Sequence, residues 1–258
     1  MKKQSAIFKA IKHAGNALLT LSKKKYTITK KNAFDVVTEG DFASEKILLR
    51  AIHNTFPEHS ILAEESGIEY HNKKYLWAID PLDGTINFEK GLDEWCISVA
   101  LLINHRPCFG IVYHPHSGKL FHAEKGKGAF CNGTKLQVSN TNKVINAVGA
   151  SDMSSKLMFR TTGFQLMTKM ASHVRGIRIF GAGALHLCKV ADGSLDFYFK
   201  NHVNIWDYAA GTILIREAGG KVKDFNLKDF DDRSETIVAS NSTLSKSLCR
   251  LLRKYNSK

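Results

Sequence analysis

Between about Ser5 and Ser22 the apolar residues Ile7, Phe8, Ile11, Ala14, Leu18 and Leu19 recur at helical spacing with lysines between them. That period predicts an amphipathic helix, packed on a domain core or laid on a membrane surface. Tyr26 to Lys31 reads as a short strand or loop. A second helix is expected to open near Thr38, bury Leu48, Leu49, Ile52 and Phe56, and stop at Pro57, whose ring cannot continue it. Ile61-Leu62-Ala63 is a brief apolar strand ending in Glu64-Glu65-Ser66-Gly67, and Tyr75 to Ile79 is a buried strand ending at Asp80. Trp95 to Ile103, Phe109 to Tyr113, Lys119 to Ala123 and Gly128 to Cys131 then read as consecutive antiparallel strands, with Gly118, Gly126 and Gly133 in the turns.

Beyond residue 140 the pattern changes to strands alternating with helices, as in an α/β half. Val144 to Ala150 reads as a strand and Lys156 to Ala171 as a helix. Ile177 to Phe180 reads as a strand ending at Gly181-Ala182-Gly183. Ala184 to Ala191 is expected to be helical and Phe197 to Phe199 a strand. Asn204-Ile205-Trp206-Asp207 opens a helix that ends at Gly219-Gly220. Strands at Lys221 to Phe225 and Thr236 to Ala239 precede a basic C-terminal helix capped by Asn241. The expectation is one domain over 1–258, its first half about 1–140 and its second about 141–258.

A chain of 258 residues can bury a sizeable core without disulfides or a structural metal. Its five cysteines are dispersed and odd in number, with no Cys-x-x-Cys pair, which argues against a zinc site and a secreted framework and fits a reducing cytoplasm. Lys9 and Lys12 interrupt the early apolar stretch before it becomes a signal-peptide core, and nothing later is long and apolar enough to span a membrane. The net charge of +13 favours anionic partners, phosphorylated metabolites or nucleic acid. The lysines and arginines come in short clusters without interleaved aromatics, which is equally the pattern of a solvated basic surface.

The candidate chemistry sits in Asp80-Pro81-Leu82-Asp83-Gly84-Thr85. Pro81 and Gly84 make a turn in which Asp80 and Asp83 stand side by side, with the Leu82 carbonyl between them. Hard oxygens in that arrangement suit Mg²⁺, and the Gly84 and Thr85 amides could hold a phosphate. A surface turn has the same composition. Asp41, three residues after Thr38, also reads as part of a capping box, and Asp207 as a helix cap.

Together these segments resemble the inositol monophosphatase family of metal-dependent phosphatases. The resemblance is carried by Val37-Thr38-Glu39-Gly40-Asp41, Glu64-Glu65-Ser66, Asp80 to Phe88, Gly126 to Gly133 and Trp206 to Gly211, in the family's order. It implies an α/β (α+β layered) αβαβα sandwich and a Mg²⁺-dependent phosphomonoesterase with two or three ions. Glu64, Asp80, Asp83 and Asp207 would be metal ligands with the Leu82 carbonyl, Asp41 would lie near a third ion, and Glu64 and Thr85 would orient the attacking water. Asp83, Gly84, Thr85, Gly181, Ala182, Lys200 and Asp207 would face the substrate, and Lys30 matches a loop lysine of the family.

The resemblance also implies a cytoplasmic homodimer acting on a small phosphorylated metabolite, inositol monophosphate first. Fructose 1,6-bisphosphate, adenosine 3′,5′-bisphosphate, NADP and histidinol phosphate are alternatives. Lys200 stands where inositol-preferring members carry a glutamate that accepts from sugar hydroxyls, and a lysine only donates. It therefore suits a second anionic group, unless it turns to solvent. One bacterial branch includes a partner of RNA polymerase, so association with RNA or the transcription machinery is the rival expectation.

Overall fold

A computed structural model describes residues 2–256. Helix α1 (Lys2–Leu21) leads into a two-stranded hairpin, β1 (Ile28–Asn32) and β2 (Asp35–Thr38), and then α2 (Glu39–Thr55). There follow β3 (Ser60–Ala63), β4 (Gly67–Glu69), β5 (Tyr75–Asp83), α3 (Thr85–Glu89), β6 (Cys96–Ile103), β7 (Arg106–His114), β8 (Lys119–Glu124), β9 (Gly128–Cys131) and β10 (Thr134–Lys135). A 3₁₀ turn at Val144–Asn146 precedes β11 (Val148–Ala150), α4 (Leu157–Ala171), β12 (Gly176–Arg178), α5 (Gly183–Ala191) and β13 (Phe197–Lys200). The last elements are α6 (Ile205–Glu217), β14 (Gly220–Lys223), β15 (Ile237–Asn241) and α7 (Ser242–Asn256).

Eight strands form one sheet in the order β10-β9-β8-β7-β6-β5-β3-β4, and five form another in the order β12-β11-β13-β15-β14. Side-chain alternation explains how they stack. Trp77, Ile79, Ile97, Val99 and Ile111 point from the first sheet toward Ile7, Ile11, Leu18, Leu48 and Ile52 of α1 and α2. Ala78, Ala100, Val112 and Ala123, on the opposite face, meet Leu187, Val190, Ala210 and Ile213 of α5 and α6, and these in turn cover Tyr198 and Ala239 of the second sheet. Phe197, Phe199 and Val238 face outward onto Met167 and Met170 of α4 and Leu244 and Leu248 of α7. The result is helix, sheet, helix, sheet, helix: an αβαβα sandwich.

Small side chains on the inner face of the first sheet let the middle helices come close. A Cβ on Gly110 would lie 2.7 Å from Ile213 Cγ2 and 2.8 Å from Ala210 Cα. Gly110→Ala is therefore expected to cost about 1–3 kcal/mol, the usual range for overpacking. A lower urea midpoint with an unchanged slope would show it.

Several boundaries differ from the sequence expectation. Strand β5 does not end at Asp80 but runs to Asp83 through an irregularity in its pairing with β6 between those two residues. The strand expected from Val144 begins only at Val148, because the 3₁₀ turn takes up the preceding residues. Ile179 and Phe180 lie beyond β12, and β14 stops at Lys223. The Phe225 amide instead donates to Thr236 Oγ1 at 3.0 Å. Among the described residues no helix is long and apolar enough to cross a membrane.

Candidate metal and phosphate site

Parallel pairing brings the first two acids together. In the β3–β5 register Ala63 lies opposite Ile79, and the Glu64 amide donates to the Ile79 carbonyl at 3.1 Å, so Glu64 and Asp80 leave the sheet side by side. The third arrives from the middle layer. Ser98, paired with Asp80 across β5 and β6, donates through Oγ to the Trp206 carbonyl at 3.2 Å and holds the start of α6 against the sheet. Carboxylate oxygens of Glu64, Asp80 and Asp207 consequently lie within 4.8 Å of one another. Asp207 sits in the first turn of α6, whose N-cap is Asn204, so the expected capping role is not the one it fills.

Asp83 and Leu82 are placed differently. The Asp83 carboxylate accepts from the Ala184 amide at 2.7 Å and the Gly183 amide at 3.2 Å, at the N-terminus of α5. The Leu82 carbonyl lies 3.0 Å from Thr85 Oγ1, whose single proton is shared with Asp41 Oδ1 at 3.1 Å. Gly84 has φ 94°, and a Cβ there would stand 2.8 Å from the Glu94 carbonyl oxygen, so this turn admits glycine alone. Ser44 Oγ donates to the Pro81 carbonyl at 2.7 Å and fixes the irregular part of β5 from below.

Asp41 does form the capping box: its Oδ2 accepts from the Thr38 amide and hydroxyl, both at 2.7 Å. Its other oxygen reaches Thr85, so the structural role and a place beside the site are combined in one side chain. Asp41 and Ala182 are not among the residues lining the cavity, whereas Gly84, Thr85, Gly181 and Lys200 are. Ala182 is fully buried as the N-cap of α5. Lys30 is exposed. A shift in the β1–β2 register between Lys30 and Asn32 accompanies a contact by the next residue instead, Lys31, which bonds Glu64 at 3.0 Å and Glu65 at 2.6 Å.

The electrostatics follow from crowding acids in a partly dry place. Burial, then the charges of Glu64, Asp83 and Asp207, push Asp80 well above the usual carboxylate range. Asp207 is raised by burial despite Lys200. Burial raises Asp41 and Asp83 to about 6 and Glu65 to about 7. An all-oxygen donor set under mutual repulsion is what a hard divalent cation relieves, so these residues fit Mg²⁺.

Two groups of neighbours of the acidic cluster were not visible in the sequence. Glu45, buried on α2, accepts from the Glu65 and Ser66 amides at 3.0 Å each and shapes the turn that presents Glu64. Asp152, fully inside the wall of the cavity, accepts from Gly181 N at 3.1 Å, His186 Nδ1 at 2.9 Å and the Tyr198 hydroxyl at 2.9 Å. Because the Phe180 amide donates to His186 Nε2 at 3.1 Å, the imidazole proton is on Nδ1, facing Asp152. Burial alone would raise the Asp152 carboxyl, but His186, Lys200 and Tyr198 bring it down to about 2. Tyr198 continues to Tyr208 at 3.1 Å, and the Lys200 ammonium lies 5.6 Å from the Tyr208 ring centre. Lys200 thus turns inward rather than to solvent. Burial opposes its charge, yet Tyr208, Asp152 and Asp207 hold its pKa above that of an ordinary lysine.

The model of the inositol monophosphatase family matches residues 2–257. The Nus factor SuhB of Haemophilus influenzae is 36% identical over 251 residues, 95% of this chain and 93% of that protein. The fructose-1,6-bisphosphatase/inositol-1-monophosphatase of Thermotoga maritima is 36% identical over 237 residues, 92% of this chain and 90% of that protein. The crystal structure of the extragenic suppressor protein suhB from Bartonella henselae superposes with a TM-score of 0.92 at 32% identity, covering 98% of this chain and 99% of that one.

Proposed function

Because this chain belongs to the inositol monophosphatase family, we propose that it is a Mg²⁺-dependent phosphomonoesterase acting on a small phosphorylated metabolite. The observation that carries this reading is the meeting of Glu64, Asp80 and Asp207, delivered by three separate elements, in a cavity of about 590 Å³. With them, Asp83 and the Leu82 carbonyl would hold the ions. Bound Mg²⁺ supplies charge for the phosphoryl oxygens and acidifies water for in-line attack.

The chain's own groups do the positioning. Thr85, held between Asp41 and Leu82, orients water with Glu64, and Gly84 and Thr85 line the cavity where their amides meet phosphate oxygens. The amides of Gly183 and Ala184 fix the Asp83 carboxylate before any ligand arrives, which removes one ordering step from binding. Lys200 offers donors to the leaving part of the ester, so inositol monophosphate, whose hydroxyls would gain from an acceptor there, is a poorer match than an anionic ester.

Phosphate release with Mg²⁺ from inositol 1-phosphate, fructose 1,6-bisphosphate, adenosine 3′,5′-bisphosphate, NADP and histidinol phosphate is the direct test. Release from at least one, abolished by EDTA and restored by Mg²⁺, is the expected result. No release from any of them would refute the reading. A second reading, association with the transcription machinery, is supported by the similarity to the H. influenzae Nus factor SuhB and by the net charge of +13. Its test is co-elution with RNA polymerase or RNA at physiological salt, and no complex under that condition would exclude it.

A further inference from the structure

The same cavity also carries basic side chains: Lys156, Arg160, Lys200 and His202 line it together with the carboxylates. Lys200 is engaged with Tyr208, Asp152 and Asp207. The other three have no carboxylate partner within ion-pairing distance among the described residues. Lys156 Nζ lies 3.3 Å from His202 Nε2, which leaves the His202 Nδ1 proton as a further donor. The Arg160 guanidinium lies over the Phe34 ring, 4.8 Å from its centre, and donates to the Ser154 carbonyl at 3.3 Å. Most of its five donors are unspent.

Placement makes these charges costly unless something answers them. Lys156 is the N-cap of α4 and Arg160 lies one turn in, with no acid in that first turn. A helix dipole favours anions at this end, so lysine and arginine there add to a field already positive. Burial, together with Lys156 and Lys200, holds the His202 imidazole below its ordinary pKa. The basic side chains thus share one cavity with Glu64, Asp80, Asp83 and Asp207. A substrate anion beyond the one handled at the Glu64, Asp80 and Asp207 cluster would be repelled by those carboxylates, and Lys156 and Arg160, which have no carboxylate partner among the described residues, could receive it.

We propose that Lys156, Arg160 and His202, assisted by Lys200, form a subsite for a second anionic group, phosphate or carboxylate, on the ester hydrolysed at the Glu64, Asp80 and Asp207 cluster. The assignment rests on the phosphatase reading and narrows it to substrates with two anions. An ester with only one leaves those donors unpaired, and discrimination of that kind exceeds what an apolar pocket achieves.

The test uses esters differing in the second anion alone: 2-phosphoglycerate against glycerol 2-phosphate, and fructose 1,6-bisphosphate against fructose 1-phosphate. The first pair isolates a carboxylate and the second a phosphate. With Mg²⁺, kcat/KM is expected to favour the doubly anionic member of at least one pair. Lys156→Ala combined with Arg160→Ala is expected to reduce that preference at least about thirtyfold, mainly through KM, as loss of charge-assisted hydrogen bonds predicts. Calorimetric binding of the same compounds to the wild-type protein in EDTA, where turnover stops, reads the subsite apart from turnover. No preference in either measurement, or a loss equal for both members of each pair, overturns the subsite. Binding preference that persists and responds to the double substitution, with no phosphate released by the wild type, overturns the phosphatase reading and leaves the subsite standing.

Discussion

Asp207→Asn is expected to reduce phosphate release more than about a hundredfold, since loss of groups that merely orient metal ligands already costs 10–100-fold. The same substitution should leave the metal-free protein more stable than the wild type. Asp207 is forced to share a buried space with Asp80 and Glu64, and a neutral amide removes one of the repelling charges. Asp83→Asn is expected to match the loss of activity without the gain in stability, because the Asp83 carboxylate is satisfied by the Gly183 and Ala184 amides and an amide side chain keeps only one acceptor oxygen. Steady-state rates with Mg²⁺ and thermal melts in EDTA separate the two effects. Activity within tenfold of wild type in either variant would remove that residue from the site.

The second large effect is the coupling of stability to pH and metal. Asp41 and Asp83 are raised by burial to about 6, Glu65 to about 7, and Asp80 and Asp207 above the ordinary range. The unfolded chain releases the same protons near pH 4, so between that pH and the native values the unfolded state binds fewer protons and stability falls as pH rises. The contribution is fully present below about pH 4 and is lost as pH passes through 6 and 7. Melting temperature in EDTA is expected to decline across that window, with a shallower decline in Asp207→Asn. Mg²⁺ at about a hundred times its Kd should restore about 2.7 kcal/mol, or roughly 5–10 °C for a chain of this size. A wild-type melting temperature that does not decline with pH in EDTA, or declines no more steeply than that of the variant, would refute the electrostatic account.

The acidic cluster of the cavity was more legible in the sequence than its surroundings, for a physical reason. Acids delivered by strand ends and helix starts sit next to glycine, proline and cap residues whose conformations are local, so Glu64, Asp80 and Asp207 can be read from short segments. Most elements were equally legible, because period-2 and period-3.6 patterns mark which face is buried, whereas the order of the layers was expected from the family resemblance alone. Asp152 and His186 left no such trace. They lie 34 residues apart, meet only through tertiary packing, and each looks like an ordinary polar residue near a turn. The inward orientation of Lys200 depends on that same network. Lys31 rather than Lys30 reaches Glu64 where the hairpin register shifts, and such irregularities have no fixed signature in one sequence.

Helix α2 presents Asp41, Ser44 and Glu45 to the Thr85 hydroxyl, the Pro81 carbonyl and the Glu65 and Ser66 amides. One element therefore serves as the jig on which two separately encoded turns are aligned. Its polar contacts are buried, so they exist only once α2 has docked on the sheet beside α1. Assembly of the site and closure of this outer layer are then a single cooperative event: a fluctuation that lifts α2 dismantles both turns together, and anything that clamps them also clamps the helix.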